Sequence, residues 1–320
     1  MSRKLAVIAI GGNSLIKRRD KQSVEDQYFA LCETMEHVAD VIARGWQVVI
    51  THGNGPQVGF IMLRSEIARA VAGMHMVPLA SCVADTQGAI GYQIQQALDN
   101  VLRRRGLAAG AGRTVSVVTQ VRVDIDDPGF RDPDKFVGES YEESQLADLR
   151  REHPDWTLRE DAGRGWRRVV PSPVPREIIE LDVIRSLLGA GFNVVCTGGG
   201  GIPVVRMPEG LFGVDAVIDK DLASSLLATR LGASLLAIST CVEHVALNYG
   251  TPMQQALRTV TASEMERYLT EGHFPAGSIG PKIRAAVDFI CNGGGEVVIT
   301  SPEYLNAALT EGAGTHITKD

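Results

Sequence analysis

Short runs of consecutive apolar residues alternate along the chain with longer segments whose apolar positions recur every three or four residues. The runs at 5–10, 47–51, 115–119, 193–196, 234–239 and 296–300 read as strands buried on both faces. Between them the helical spacing predicts helices over 24–43, 57–71, 87–105, 176–188, 222–231, 283–291 and 302–309. Ser23 is placed to cap the first helix, and Arg44-Gly45 to close it. Repeated β-α alternation of this kind implies an α/β fold with a largely parallel sheet covered on both faces.

From about 124 to 166 the pattern breaks down. Charges and prolines crowd this stretch, with Tyr141, Trp156 and Trp166 as its aromatic anchors. It reads as an inserted subdomain, or flap, on the main sheet. No internal repeat or low-complexity tract interrupts the chain.

Composition narrows the class. At 320 residues and 44% hydrophobic content the chain can bury a sizeable core, as one large domain or as two lobes sharing a sheet. A net charge of −6, with no Lys/Arg block, offers nucleic acid no basic groove. Arg103-Arg104-Arg105 ends a predicted helix, where cations suit the macrodipole. The cysteines (Cys32, Cys82, Cys196, Cys241, Cys291) lie far apart and lack zinc-site spacing, so reduced thiols in a cytoplasmic protein are expected. The sequence runs from Met1 into its first strand, so no signal peptide is expected, and no apolar stretch reaches the roughly 20 residues of a membrane span.

Four glycine-centred elements stand where apolar runs end: Gly11-Gly12-Asn13, Gly53-Asn54-Gly55, Gly198 to Gly201, and Gly277-Ser278-Ile279-Gly280. Bare backbone beyond the carboxyl ends of strands can cradle phosphate oxygens. A tight turn alone would also need such glycines, and none of these is a GxGxxG or P-loop pattern. His52 reads as a buried side chain held by backbone, and Asn54 as a turn residue or a contact for a small polar substrate. Lys220 stands just before a helix, and Lys282 follows Pro281 at the start of another. Cations there are mildly unfavourable, by roughly 0.3–1 kcal/mol. Two of them at glycine-flanked helix starts make sense if a polyphosphate fills the gap between them, with Asp221 orienting both. Lys135, among the aspartates of the flap, reads on spacing alone as a surface salt-bridge residue.

In their order these segments resemble carbamate kinase, a branch of the amino acid kinase family. The resemblance rests on residues 9–15, 50–59, Asp85-Thr86-Gln87-Gly88, 158–173, 198–205, Val217 to Leu222 and 277–283, which together span nearly the whole chain. It implies an open three-layer αβα sandwich around a mainly parallel, eight-stranded sheet, with a small protruding subdomain, usually dimeric. It further implies a part over 1–205 that binds carbamate or carbamoyl phosphate, and a part over 206–320 that binds ATP or ADP with Mg2+. Under the same resemblance Lys135, Lys220, Asp221 and Lys282 are catalytic. Gly11, Gly12, Asn13, Gly53, Asn54 and Gly55 hold the substrate, and Lys220, Thr240, Cys241, Gly280 and Lys282 meet the nucleotide. The implied reaction is ATP + carbamate ⇌ ADP + carbamoyl phosphate, run towards ATP in the breakdown of a nitrogen compound such as arginine.

The chain departs from the family pattern in three places. Cys241 stands where members usually carry an aspartate, Thr251 where a lysine precedes the proline, and Phe136-Val137 where Pro-Ile follows the flap lysine. Cys241 is expected as a small buried residue. Two other readings remain open at this level: a kinase of another small carboxylate, and a non-catalytic sensor of nucleotide or carbamoyl phosphate.

Overall fold

A computed structural model describes residues 4–11, 15–16, 21–107, 112–161, 165–274 and 279–320. Eight strands form the central sheet: β1 (Leu5–Ile10), β2 (Gln47–His52), β3 (Thr114–Ser116), β4 (Asn193–Val195), β5 (Leu235–Ser239), β6 (Thr259–Thr261), β7 (Glu296–Thr300) and β8 (Thr315–Thr318). Their order is β6-β8-β7-β5-β1-β2-β4-β3. Every pairing is parallel except β7 with β8. Strands from both halves of the sequence thus share one sheet, β1 lying between β2 and β5 in register.

The alternation along β1 builds the layers. Val7 joins Val49, Val194, Leu236 and Val297 on one face, under the helices Leu181–Gly189, Lys220–Leu231 and Ile279–Cys291. Ala6, Ile8 and Ile10 point the other way, onto Leu31, Met35 and Val38 of Val24–Ala43 and Ile90, Ile94 and Leu98 of Leu79–Arg104. Each of these large side chains is almost fully buried, a gain of roughly 1.5–3 kcal/mol apiece. The outcome is the expected αβα sandwich. Ser23 caps the first helix through a reciprocal bond with Asp26.

Several boundaries differ from the sequence reading for physical reasons. The helix expected at 87–105 begins at Leu79, because Leu79, Cys82 and Val83 carry its buried face beneath the flap. The helix expected at 176–188 begins only at Leu181, since Glu177–Ile178 pairs with Gln120–Arg122 in a second, four-stranded sheet. That sheet also holds the hairpin Ile202–Met207 and Gly210–Gly213. The helices at 222 and 283 start earlier, at Lys220 and Ile279, which draws both lysines into first turns.

The inserted segment forms a three-stranded antiparallel sheet of Lys135–Tyr141, Trp166–Val170 and Thr157–Glu160, so it runs past residue 166. Val137 and Val170 seat it on Val58, Met62, Leu79 and Val83. At Gly59 a side chain would meet the flap backbone: a Cβ there would lie 3.5 Å from Gly138 Cα. Phe136 sits in a paired strand with the Arg167 guanidinium 5.4 Å over its ring, and Arg167 in turn bonds Asp161 and the Gly138 carbonyl. Ladder pairing therefore holds this strand where the family pattern carries a proline. Among the described residues no helix is long and apolar enough to cross a membrane.

Candidate active site

The carboxyl ends of β1, β2, β4 and β5 open on one edge of the sheet, which is where α/β folds bind ligands. Loops from β1 and β2 lock together there through the Gly53 N–H, which donates to the Ile10 carbonyl at 3.1 Å. That amide is thus committed to the scaffold. Asn54 is buried and donates Nδ2 to Thr86 Oγ1 at 2.8 Å, while Gly55 lies exposed at the first turn of Gly55–Ala72. Gly11 leaves β1 against β5, where a Cβ would lie 3.3 Å from the Ser239 carbonyl oxygen. Gly12 and Asn13 fall outside the described residues.

Gly198 to Gly201 follow β4, entirely buried. A Cβ at Gly198 would fall 2.3 Å from His52 Nε2, and at Gly199 2.1 Å from Asn54 Nδ2. One at Gly200 would meet the Ile218 carbonyl at 2.3 Å, and one at Gly201 would meet Val121 Cγ2 at 2.2 Å. Close approach of the neighbouring loops is therefore the physical reason for this run, and it draws His52 and Asn54 against the segment that leads into Asp219. Gln87 fixes the turn from the other side. It donates to the Thr119 and Gly198 carbonyls and accepts from the Thr119 N–H.

His52 is buried, with Nδ1 3.0 Å from the Gly53 carbonyl. Burial pushes its imidazole down to about 4; the Gly53 hydrogen bond opposes this shift and the Lys220 ammonium adds to it. The ring is thus neutral at neutral pH, and the folded form resists protonation that the unfolded form accepts. Stability from this site is complete above pH 6.5 and declines as pH falls towards 4, by about 3 kcal/mol in all. Urea midpoints measured between pH 7 and 4 should fall more steeply in the parent than in His52→Asn; equal slopes would refute the assignment.

The charged centre lies on the other wall. Lys220 is the first residue of its helix and Asp221 the second. Asp221 Oδ1 accepts Lys220 Nζ at 2.6 Å, and Asp221 Oδ2 accepts Lys282 Nζ at 2.9 Å from the first turn of Ile279–Cys291. One carboxylate thus bridges two ammonium groups from two helices. Burial alone would raise the Asp221 carboxyl, but the two lysines hold it well below the usual carboxylate range. Burial and the neighbouring Lys282 pull Lys220 below its usual range against Asp221, whereas at Lys282 burial lowers the ammonium but Asp221, Asp219 and the Lys220 contact together raise it. Ser224 Oγ donates to the Lys220 carbonyl and lies 2.6 Å from Thr51 Oγ1, which ties the helix to the end of β2.

Lys135 reaches this centre from the flap. Its Nζ lies 2.8 Å from Asp219 Oδ2, not from an aspartate of its own loop. Asp219 is also the N-cap of Lys220–Leu231, its Oδ1 accepting from the Asp221 and Leu222 amides. Lys220, Asp221 and Lys282 are therefore brought together, and Lys135 joins them through Asp219. Asp219, Thr51, Ser224, Thr86 and Gln87 were missed by the sequence reading. Asp219 carried a local signal, an aspartate directly before a helix start, while Thr51, Thr86 and Gln87 lay in segments that carry the family resemblance without a role of their own.

Thr240 and Cys241 follow β5 at the same sheet edge, the Thr240 amide donating to the Thr300 carbonyl. Cys241 is exposed, which corrects its expected burial: it lies in a bend beyond the strand, outside the packed layers. Thr251 closes an exposed hairpin tip, donating Oγ1 to the Asn248 carbonyl, so the hydroxyl serves the turn where the family pattern has a lysine. Gly280 is buried in the first turn that carries Lys282.

Fold and site together define an α/β protein that gathers three ammonium groups and two carboxylates at the carboxyl edge of a mainly parallel sheet. The sequence profile of the amino acid kinase family matches residues 4–301. A carbamate kinase-like protein, YahI of Escherichia coli K12, is 51% identical over 99% of both chains. The carbamate kinase of Pyrococcus horikoshii is 46% identical over 98% of both. Among solved structures, carbamate kinase from Giardia lamblia bound to AMP-PNP superposes with a TM-score of 0.91 at 43% identity, covering 100% of this chain and 99% of that one. The chain belongs to the amino acid kinase family, in its carbamate kinase branch.

Proposed function

We propose that this protein is a carbamate kinase, which moves a phosphoryl group reversibly between ATP and carbamate to give ADP and carbamoyl phosphate. The observation that carries this reading is the bridge Lys220–Asp221–Lys282, with Lys135 docked beside it from the flap. Three ammonium groups against two carboxylates leave a net positive charge in a largely buried site, which suits a polyphosphate. Among the described residues the arrangement contains no general base poised over a hydroxyl, and carbamate needs none because its attacking oxygen is already anionic. Transfer then depends on in-line placement and on neutralising charge at the equatorial oxygens. Lys220 and Lys282 would meet the nucleotide phosphates, Lys135 the transferred group, and Asp221 would keep the two buried ammonium groups apart and aimed.

The loops at Gly11, Gly53, Asn54 and Gly55 would hold carbamate, a small acid that needs few charged contacts. Thr240, Cys241 and Gly280 would line the nucleotide. Mg2+ belongs to the same reading. Among the described residues no cluster of His, Cys, Asp or Glu could hold a metal by itself, and Asp219 and Asp221 are already paired with lysines. That fits a hard cation carried mainly by phosphate oxygens and water. It would supply further charge neutralisation when bound. A homodimer in the cytoplasm, working towards ATP in nitrogen-compound breakdown, completes the proposal; the free thiols Cys32, Cys82, Cys196, Cys241 and Cys291 accord with a reducing compartment.

A panel of acceptors tests the reading. With ATP and Mg2+, ADP release should be fast with carbamate, formed from ammonia and bicarbonate, and at background with acetate or an acetylated glutamate. Faster release with either carboxylate would reject carbamate as the substrate, and tight nucleotide binding without turnover on any acceptor would identify a sensor.

A further inference from the structure

We propose that Asp219 is a positioning residue: its ion pair with Lys135 joins the flap to the nucleotide-side helix and sets the flap lysine at the transfer point. The part concerning turnover rests on the kinase reading above; the joint itself does not.

Asp219 performs two tasks with separate oxygens. Oδ1 accepts from the Asp221 amide at 2.9 Å and the Leu222 amide at 3.3 Å, so the carboxylate is clamped at the helix N-terminus. Oδ2 is left facing the flap and accepts Lys135 Nζ at 2.8 Å, from 84 residues away in sequence. The helix end favours a negative charge there, and the two amide bonds fix the carboxylate in place. Its partner is less restrained: the Lys135 side chain is 37% exposed, against 12% for Asp219. An ammonium so placed turns to water once its acceptor is lost.

Two acids nearer in sequence are engaged elsewhere. Asp127 is spent on the Gly129 and Val174 amides. Asp132 pairs with Arg159. The apolar seat of Val137 and Val170 anchors the strand, and the pairing of Lys135 with Val170 fixes the backbone of its first residue, but neither engages the ammonium. Asp219 is therefore the one group, among these contacts, that ties the lysine to the same helix start that carries Lys220 and Asp221.

Asparagine separates the two tasks. It caps helices about as well as aspartate, yet it presents an amide group or a neutral oxygen to the ammonium. Asp219→Asn, Asp219→Ala, Lys135→Ala and the double variant Lys135→Ala/Asp219→Asn would be compared with the parent by denaturant unfolding, by amide hydrogen exchange over 135–141 without ligand, and by ATP formation from ADP, carbamoyl phosphate and Mg2+. In Asp219→Asn the unfolding midpoint should stay at the parent value, while flap exchange quickens about 5-fold, the scale of a half-exposed ion pair. Its kcat should fall by about 10- to 100-fold through misplacement of the lysine, with KM for ADP little changed. The double variant should be no slower than Lys135→Ala, and Asp219→Ala should lose midpoint as well. Flap exchange equal to the parent in Asp219→Asn would overturn the joint, and losses that multiply in the double variant would overturn the positioning role. A parent without turnover would reject the kinase reading, and the exchange comparison would still decide the joint.

Discussion

Lys220→Ala should reduce ATP formation from ADP and carbamoyl phosphate by about 100- to 1,000-fold, the usual loss when one preorganised charge is removed from a transition state. The side chain is only 15% exposed and held at 2.6 Å by Asp221. Water cannot easily replace it, and the remaining lysines reach the site from other elements. The loss should fall mainly on kcat, because the ammonium neutralises charge that redistributes over the phosphate oxygens as the group passes between donor and acceptor. Steady-state kinetics on a variant with parent-like circular dichroism checks this. A change of less than about threefold would remove Lys220 from the chemistry.

Asp221→Ala should act on stability before it acts on rate. The carboxylate is 6% exposed and serves two ammonium groups, so its removal leaves two cations facing each other in a desolvated site. Breaking a buried pair in this way costs about 3–5 kcal/mol, a large share of a protein's total stability. The lysines can relieve part of that by losing a proton, and Lys220, already pulled down by burial, is the one to do so. Urea unfolding at pH 7 should therefore show a much lower midpoint, recovering partly at pH 9. A midpoint unchanged at both values would mean that Asp221 does not hold the two lysines in solution.

The sheet was readable because its inner strands are uninterrupted apolar runs, and β1, β2, β5 and β7 sit where those runs lie. The two strands at one end of the sheet, β6 and its neighbour β8, escaped notice. Thr259–Thr261 and Thr315–Thr318 each carry a single apolar residue, Val260 and Ile317, among polar ones, a pattern shared with loops. The flap strands were hidden for a related reason, since Trp166–Val170 interleaves Arg167 and Arg168 with its apolar positions and covers Phe136 and Trp156 with those guanidiniums. At the site, Lys220, Asp221 and Lys282 could be placed because helix starts leave a signature in sequence. Lys135 could not be placed from spacing: its partner comes from another part of the chain, and only the family resemblance assigned it a role. The glycines of 198–201 were read as bare backbone for phosphate, while the atoms packed against their missing side chains belong to His52, Asn54, Ile218 and Val121. Close packing between loops leaves no local trace in a sequence.

Phosphorus NMR on a mixture of the protein with ADP, carbamoyl phosphate and Mg2+ follows the reacting group itself. The carbamoyl phosphate signal should decline at the rate at which the γ-phosphate of ATP grows, with inorganic phosphate rising no faster than in a protein-free control. Carbamoyl phosphate that decays only to inorganic phosphate, with no ATP signal, would contradict transfer between these two ligands at the lysine cluster.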